Sequence, residues 1–310
     1  MSKLASKLMS ARVGSVFAGV LCLCAPTLLP ALGAAATATS TPDFSPNSSV
    51  GWIALGGQFI KPPSGAGPIT DDPAHPRVTN EDFRLTGKRP TFPVADLGNP
   101  ILQPWAREEL KKRNEAILSG KPAYTRPASC WPIGVPGFAL YPVYPVYFIQ
   151  APKEVVMIWS EDHQVRHVYL DQKHSARPAP SWFGESVGHY EGDTLVVDTV
   201  GMNDKTYVDN YRTPHTAALH VVERFRMIND GKMLEVNIHV EDPGAFTMPW
   251  DAIQRYRRVE PGRAENTAPI SPISSASDAG PMLEASCAEN PISLFGGDAP
   301  PIPHADKPDF

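Results

Sequence analysis

The chain has 310 residues, 42% of them hydrophobic and 20% charged, a composition that excludes collagen, coiled coil and wholesale disorder. Its 34 prolines are about twice the usual share of about 5%. Proline is barred from helix interiors and central strands, so a mainly helical protein is excluded. A net charge of −5 speaks against nucleic acid as a partner.

The first residues predict export. Lys3, Lys7 and Arg12 form a basic, acid-free start, Val13 to Leu32 is apolar and nearly uncharged, and small residues follow from Gly33 to Ala36. That order is the one of a secretory signal peptide, expected over residues 1–36. Pro26 and Pro30 interrupt the apolar run and argue against a membrane anchor. Leu21 and Leu23 precede Cys22 and Cys24 where a lipidation site would want a small residue. Cleavage takes the net charge to about −8 and leaves Cys130 and Cys287 as the only cysteines. Two cysteines in an exported chain are expected to pair. Neither has a nearby Cys or His, so no metal site is expected on them. The expected location is periplasmic or secreted, with no membrane anchor after cleavage.

Residues 37–100 are rich in Pro and Gly with little periodicity, and predict an extended lead segment draped over the body. A helix follows, with Pro104 in its first turn, apolar residues at Trp105, Leu110, Ile117 and Leu118, and Gly120 at its end. Glu108 and Glu109 lie early and Lys111 to Arg113 later, in accord with the helix dipole. From about 139 to 258 the period becomes two. Strands are predicted at 138–150, 154–160, 164–171, 186–190, 194–200, 219–228, 233–241 and 252–259. Glu161-Asp162-His163, Glu191-Gly192-Asp193 and Asn229-Asp230-Gly231 supply turns between them. About eight strands without crossover helices give a mainly β domain over residues 101–259: an antiparallel meander with one short helix. An up-and-down or strongly curved, lipocalin-like β-barrel is the first expectation and a sandwich the alternative. Residues 260–310 form a Pro-rich tail, tethered at Cys287.

Polar groups crowd one region: Asp198, Asn203, Asp204, Asp209, His215, His220, Glu223, Arg224, His239, Glu241 and Asp242. In Leu219–Ile228 the apolar residues Leu219, Val221, Phe225 and Met227 fall on odd positions with Glu223 among them, while His220, Arg224 and Arg226 face the other way. A carboxylate in an apolar row needs a partner. Two readings stand for it: a structural ion pair with Arg255 or Arg257, or an acid or base held in a cavity where burial shifts its pKa. His215, His220 and Glu223 also supply the ligand types of a catalytic metal. Parity, however, sends His220 and Glu223 to opposite faces, so no metal is expected. Gly184-Glu185-Ser186-Val187-Gly188 matches G-x-S-x-G but lacks the following helix that a nucleophile elbow needs.

Several blocks occurring in order carry a resemblance. Ser181–Thr199 (SWFGESVGHYEGDTLVVDT), Gly201–Asp204 (GMND), Pro214–Thr216 (PHT), Leu219–Phe225 (LHVVERF) and Asp242–Trp250 (DPGAFTMPW) resemble a large group of uncharacterised secreted bacterial proteins that share a W-E-G-D-T-L-V-V-D-T block. Here Tyr190 takes the place of its Trp. The resemblance covers roughly Leu97 to Arg258 and implies one exported β-rich domain. It implies no reaction.

Two functional classes follow. One is a cofactor-independent acid/base enzyme (lyase, hydratase, isomerase or hydrolase) acting on a hydrophobic or aromatic small molecule in a barrel cavity. Asp198, Asp204, Asp209, His215, His220 and Glu223 would carry the proton transfers, and Arg224 would steady an anion. Trp182, Tyr190, Tyr207 and Tyr211 would line the binding site. The other class is a lipocalin-like periplasmic carrier in which the same cavity only binds. A metal-dependent hydrolase using His215, His220 and Glu223 is a further alternative.

Overall fold

The computed structural model describes residues 41–47, 50–123, 126–127, 130–140, 145–159 and 164–259. The expected signal peptide, the Glu161-Asp162-His163 turn, the Pro-rich tail and Cys287 lie outside them. So, therefore, does one end of the expected Cys130–Cys287 pair.

Alternating inward and outward side chains build a closed barrel of nine strands: β1 Gly51–Ala54, β2 Val146–Ala151, β3 Glu154–Trp159, β4 Gln164–Leu170, β5 Glu185–Glu191, β6 Thr194–Val200, β7 His220–Ile228, β8 Met233–Glu241 and β9 Trp250–Val259. The barrel expectation holds, with two corrections. The ninth strand, β1, comes from the lead segment, where no alternation announces it, since all four of its residues are buried. It closes the barrel by pairing with β9 (Gly51↔Val259 to Ala54↔Tyr256) and with β2 (Trp52↔Val146). Second, β4 and β5 pair in parallel, Val168↔Ser186 to Leu170↔Gly188. The connection from Asp171 to Gly184 is long enough to carry the chain back along the wall.

The predicted hairpins form where the turn residues accept left-handed backbone. Asn229, Asp230 and Gly231 all have positive φ between β7 and β8, and Gly192 does between β5 and β6. The stretch before β2 departs from prediction: Gly137–Leu140 is a buried 3-10 turn, not strand. In β8 the inward row is Leu234, Val236, Ile238 and Val240.

Two helices flank the barrel. Helix α1, Asn80–Thr86, starts at a capping box in which Thr79 and Asp82 bond each other's backbone amides, and ends at left-handed Gly87. Helix α2, Pro104–Leu118, begins with proline as predicted but buries Ala106, Leu110 and Asn114, leaving Trp105 and Leu118 exposed. The buried Asn114 amide bonds both the N–H and the C=O of Ala95 at 2.9 and 2.8 Å, which ties the lead segment down. No helix among the described residues is long and apolar enough to cross a membrane.

The register gives the barrel two unlike ends. One is closed by short turns after β2, β5 and β7. The other receives the long connections: 55–145 between β1 and β2, 171–184 arriving at β5, 201–219 between β6 and β7, and 242–249 between β8 and β9. Loops carried on a rigid barrel are where binding side chains gather.

Candidate functional site

The barrel interior is filled. Trp52, Trp159, Trp250, Met157 and Leu195 are fully buried, and a void of about 10 Å³ walled by Trp52, Phe148, Met157, Glu223, Phe225 and Tyr256 has room for about one water. Glu223 points inward between Val221 and Phe225, as parity requires. Its partner is neither Arg255 nor Arg257 but Arg166 of β4, three strands away round the barrel, and neither side chain is exposed. Arg255 turns outward and donates to Glu235 at 2.7 Å. Arg166 also donates to Thr199 Oγ1 at 2.9 Å and Ser186 Oγ at 3.3 Å. Ser186 therefore serves this network and is no nucleophile. Arg166 Nη1 and Glu223 Oε1 have no hydrogen-bond partner among the described residues, and Glu223 borders the void.

His220 is on the outer wall, far from Glu223 in role and direction. It belongs to a row that follows the rim of the long-loop end. Glu185 Oε1 meets His174 Nδ1 at 3.1 Å, His174 Nε2 and His220 Nε2 both meet Asp198 Oδ1 at 3.0 and 2.9 Å, and His220 Nδ1 meets Glu241 Oε2 at 3.5 Å. Glu241 Oε1 meets His239 Nε2 at 3.0 Å, and His239 Nδ1 meets Asp251 Oδ1 at 2.7 Å. Burial works against a charged His239 ring, but Asp251 and Glu241 hold its pKa above the ordinary value. His239 and His220 hold the Glu241 carboxyl below its own. Of the proton-transfer candidates, Asp198 and His220 pair here, without the others.

Of the remaining candidates, Trp182, Tyr207 and Asp209 lie together at the long-loop end. Arg126 lies 4.2 Å from the Tyr207 ring and 5.0 Å from the Trp131 ring, and Arg113 of α2 lies 4.9 Å from Tyr207. Trp131 and Trp182 sit 5.4 Å apart, and Lys205 Nζ is 6.0 Å from Trp182. Arg212 is 8% exposed; it and Arg113 each donate to the other's backbone carbonyl. These guanidinium groups repel one another, and burial together with that repulsion lowers the pKa of Arg113 and Arg212. Compensation is thin. Arg113 has Glu109 at 3.9 Å, and among the described residues the buried Nε atoms of Arg126 and Arg212 have no hydrogen-bond partner. The carboxylate of Asp209 faces the amide and hydroxyl of Thr213 at 3.0 and 2.7 Å, and burial pushes its pKa up to about 6.

Several predicted residues are structural. Burial lowers the pKa of His215, whose Nδ1–H donates to the Thr216 carbonyl at 2.9 Å while Nε2 accepts from Thr206 Oγ1 at 2.8 Å. Tyr211 donates to Asp71 at 3.1 Å, and Tyr190 accepts from Gln150 at 2.7 Å. Asp204 is exposed, and Arg224 pairs with Glu191 at 2.6 Å on the outer wall. The proposed proton-transfer set is therefore spread over interior, wall and end. His215, His220 and Glu223 lie in all three, and no group of metal-ligating side chains converges among the described residues. Sequence reasoning missed Arg113, Arg126, Trp131, Lys205 and Arg212, and also His174, Glu185 and Asp251. They come from the 55–145 connection, the crossover, the 201–219 loop and the starts of β5 and β9, with no common motif.

The fold and this end define a β-barrel with a cationic, aromatic surface among its long loops. No family model matches the chain, and no curated protein and no solved structure matches it significantly.

Proposed function

We propose that the chain is an exported β-barrel binding protein whose ligand is a small aromatic acid, held at the long-loop end rather than inside the barrel. The observation that carries this reading is the array Trp182, Trp131, Arg126, Tyr207, Arg113 and Arg212, in which three guanidinium groups share little carboxylate compensation. Flat aromatic faces accept a ring, and forked guanidinium donors accept a carboxylate. The expected leader at residues 1–36 and the resemblance to secreted proteins support export. The filled interior favours binding at the end over a lipocalin-like internal cavity.

Calorimetric titration of the purified protein with aromatic carboxylates, their neutral amides and inorganic phosphate tests the reading. The carboxylates are expected to bind at least about tenfold more tightly than the amides, a difference of about 1.4 kcal/mol. Arg126→Gln is expected to remove most of that preference. Affinity should also rise as pH falls through about 6, because protonating Asp209 removes the negative charge nearest the arginines. Equal affinity for acid and amide, or an unchanged Arg126→Gln variant, overturns the proposal. Chromatographic recovery of altered ligand would replace binding by acid/base catalysis.

A further inference from the structure

The histidine and carboxylate row on the rim has an unusual donor count. All six ring nitrogens of His174, His220 and His239 face carboxylate oxygens of Glu185, Asp198, Glu241 and Asp251. A neutral imidazole has one N–H and one lone pair, and a carboxylate only accepts. With neutral rings, three of the six contacts would set lone pair against lone pair. With every ring doubly protonated all six become attractive, five as charge-assisted hydrogen bonds and His220 Nδ1–Glu241 as an ion pair at 3.5 Å. The row's charge accordingly changes from −4 to −1, and its four carboxylates have no Lys or Arg ion pair among the described residues. Nearby Arg224, which borders the same groove as His239 and Asp251, is engaged by Glu191. The groups do not converge around one point as metal ligands would, so protons are the cations that fit.

The row reaches one element that is not a strand. His174 lies in the Asp171–Gly184 crossover, whose side-chain hydrogen bonds to the wall between Asp171 and Ser181 come from His174, to Glu185 and Asp198, and whose Ser175 amide bonds Glu185 Oε1 at 2.7 Å. Every one of those acceptors belongs to the row. We propose that the row is a proton-operated clasp: doubly protonated rings hold the crossover against β5 and β6, and loss of those protons releases it. The docked state binds more protons than the released one, so docking weakens as pH rises. The clasp needs no ligand and does not rest on the binding function proposed above.

Hydrogen exchange of the full chain, followed by mass spectrometry and corrected for intrinsic rates, reads the crossover directly. Residues 172–180 are expected to open at least about tenfold more at about pH 8.5 than at about pH 5.5, on either side of the ordinary imidazole range. The pH dependence should disappear in His174→Gln. Should that variant fail to fold, His220→Gln interrupts the row at Asp198 and is expected to diminish it. Arg226→Gln, whose arginine pairs with Asp193 at the short-turn end, is expected to behave like the parent. Protection that is independent of pH in the parent, or full dependence retained in both histidine variants, overturns the clasp. Zinc that restores protection at about pH 8.5 would make the row a metal site instead.

Discussion

Glu223 and Arg166 illustrate how a closed barrel constrains a single side chain. Neither can reach water, so each charge is tolerable only beside the other. Glu223→Ala is expected to cost about 3–5 kcal/mol in urea melts by leaving the arginine buried and unpaired, and Arg166→Met a similar amount. The double variant Arg166→Met/Glu223→Leu should recover most of the loss; additive losses would show that the pair is not the unit. Asp209 yields a pH prediction with a definite sign. Its folded pKa of about 6 stands above the ordinary 3.8, so the folded state holds the proton more tightly. Stability therefore falls as pH rises from about 4 to about 6, by about 3 kcal/mol for that shift. Asp209→Asn should lack this decline when its melts are compared with the parent's across that window. Glu223's inward direction was legible, because Val221, Phe225 and Met227 share its parity. Arg166 was not. In Gln164–Leu170 apolar residues fall on both faces, Val165 and Tyr169 outside and Val168 and Leu170 inside, so the pattern cannot say which way the arginine turns.

The same logic separates the legible strands from the illegible ones. β5, β7 and β8 alternate against one wetted face, β6 buries Leu195 to Val197 in a row, and all four end at Gly, Asn or Asp residues, so hydropathy and turn residues bound them closely. β1 is four residues with both faces covered, one by the interior and one by other segments, and buried faces erase alternation. The capping box of α1, Thr79-x-x-Asp82, is a local signal that the reading of residues 37–100 as extended passed over. The buried face of α2 was not, because Trp105 and Leu118 are apolar yet cover no core. The parallel β4–β5 seam leaves a mark in Gly188. A Cβ there would come within 2.8 Å of Val168 Cγ1 and 2.9 Å of the Val196 carbonyl. Gly188→Ala is therefore expected to cost about 1–3 kcal/mol as an overpacked site, measured by thermal melts. A neutral substitution would mean that the two strands can spread apart without loss.

Across the whole molecule, chemistry collects at one end because topology sends the long connections there. The array draws on α2, on the 55–145 connection, on the crossover and on the 201–219 loop, so no contiguous motif could reveal it; only the closed barrel brings Arg113 to Arg212 across 99 positions. Barrel closure also sets the order of events in time. β1 pairs with β9, and Gly51 meets Val259 across roughly 200 residues of intervening chain. A growing or translocating polypeptide thus emits its first strand long before the last one exists to receive it. Contacts of such long range make for slow folding. Until β9 arrives, β1 and β8 each leave a ladder of N–H and C=O groups open to mispairing. Were the chain exported unfolded, as proposed above, assembly would have to wait until the last strand had crossed, a delay during which a holding factor would find those two edges as its natural targets.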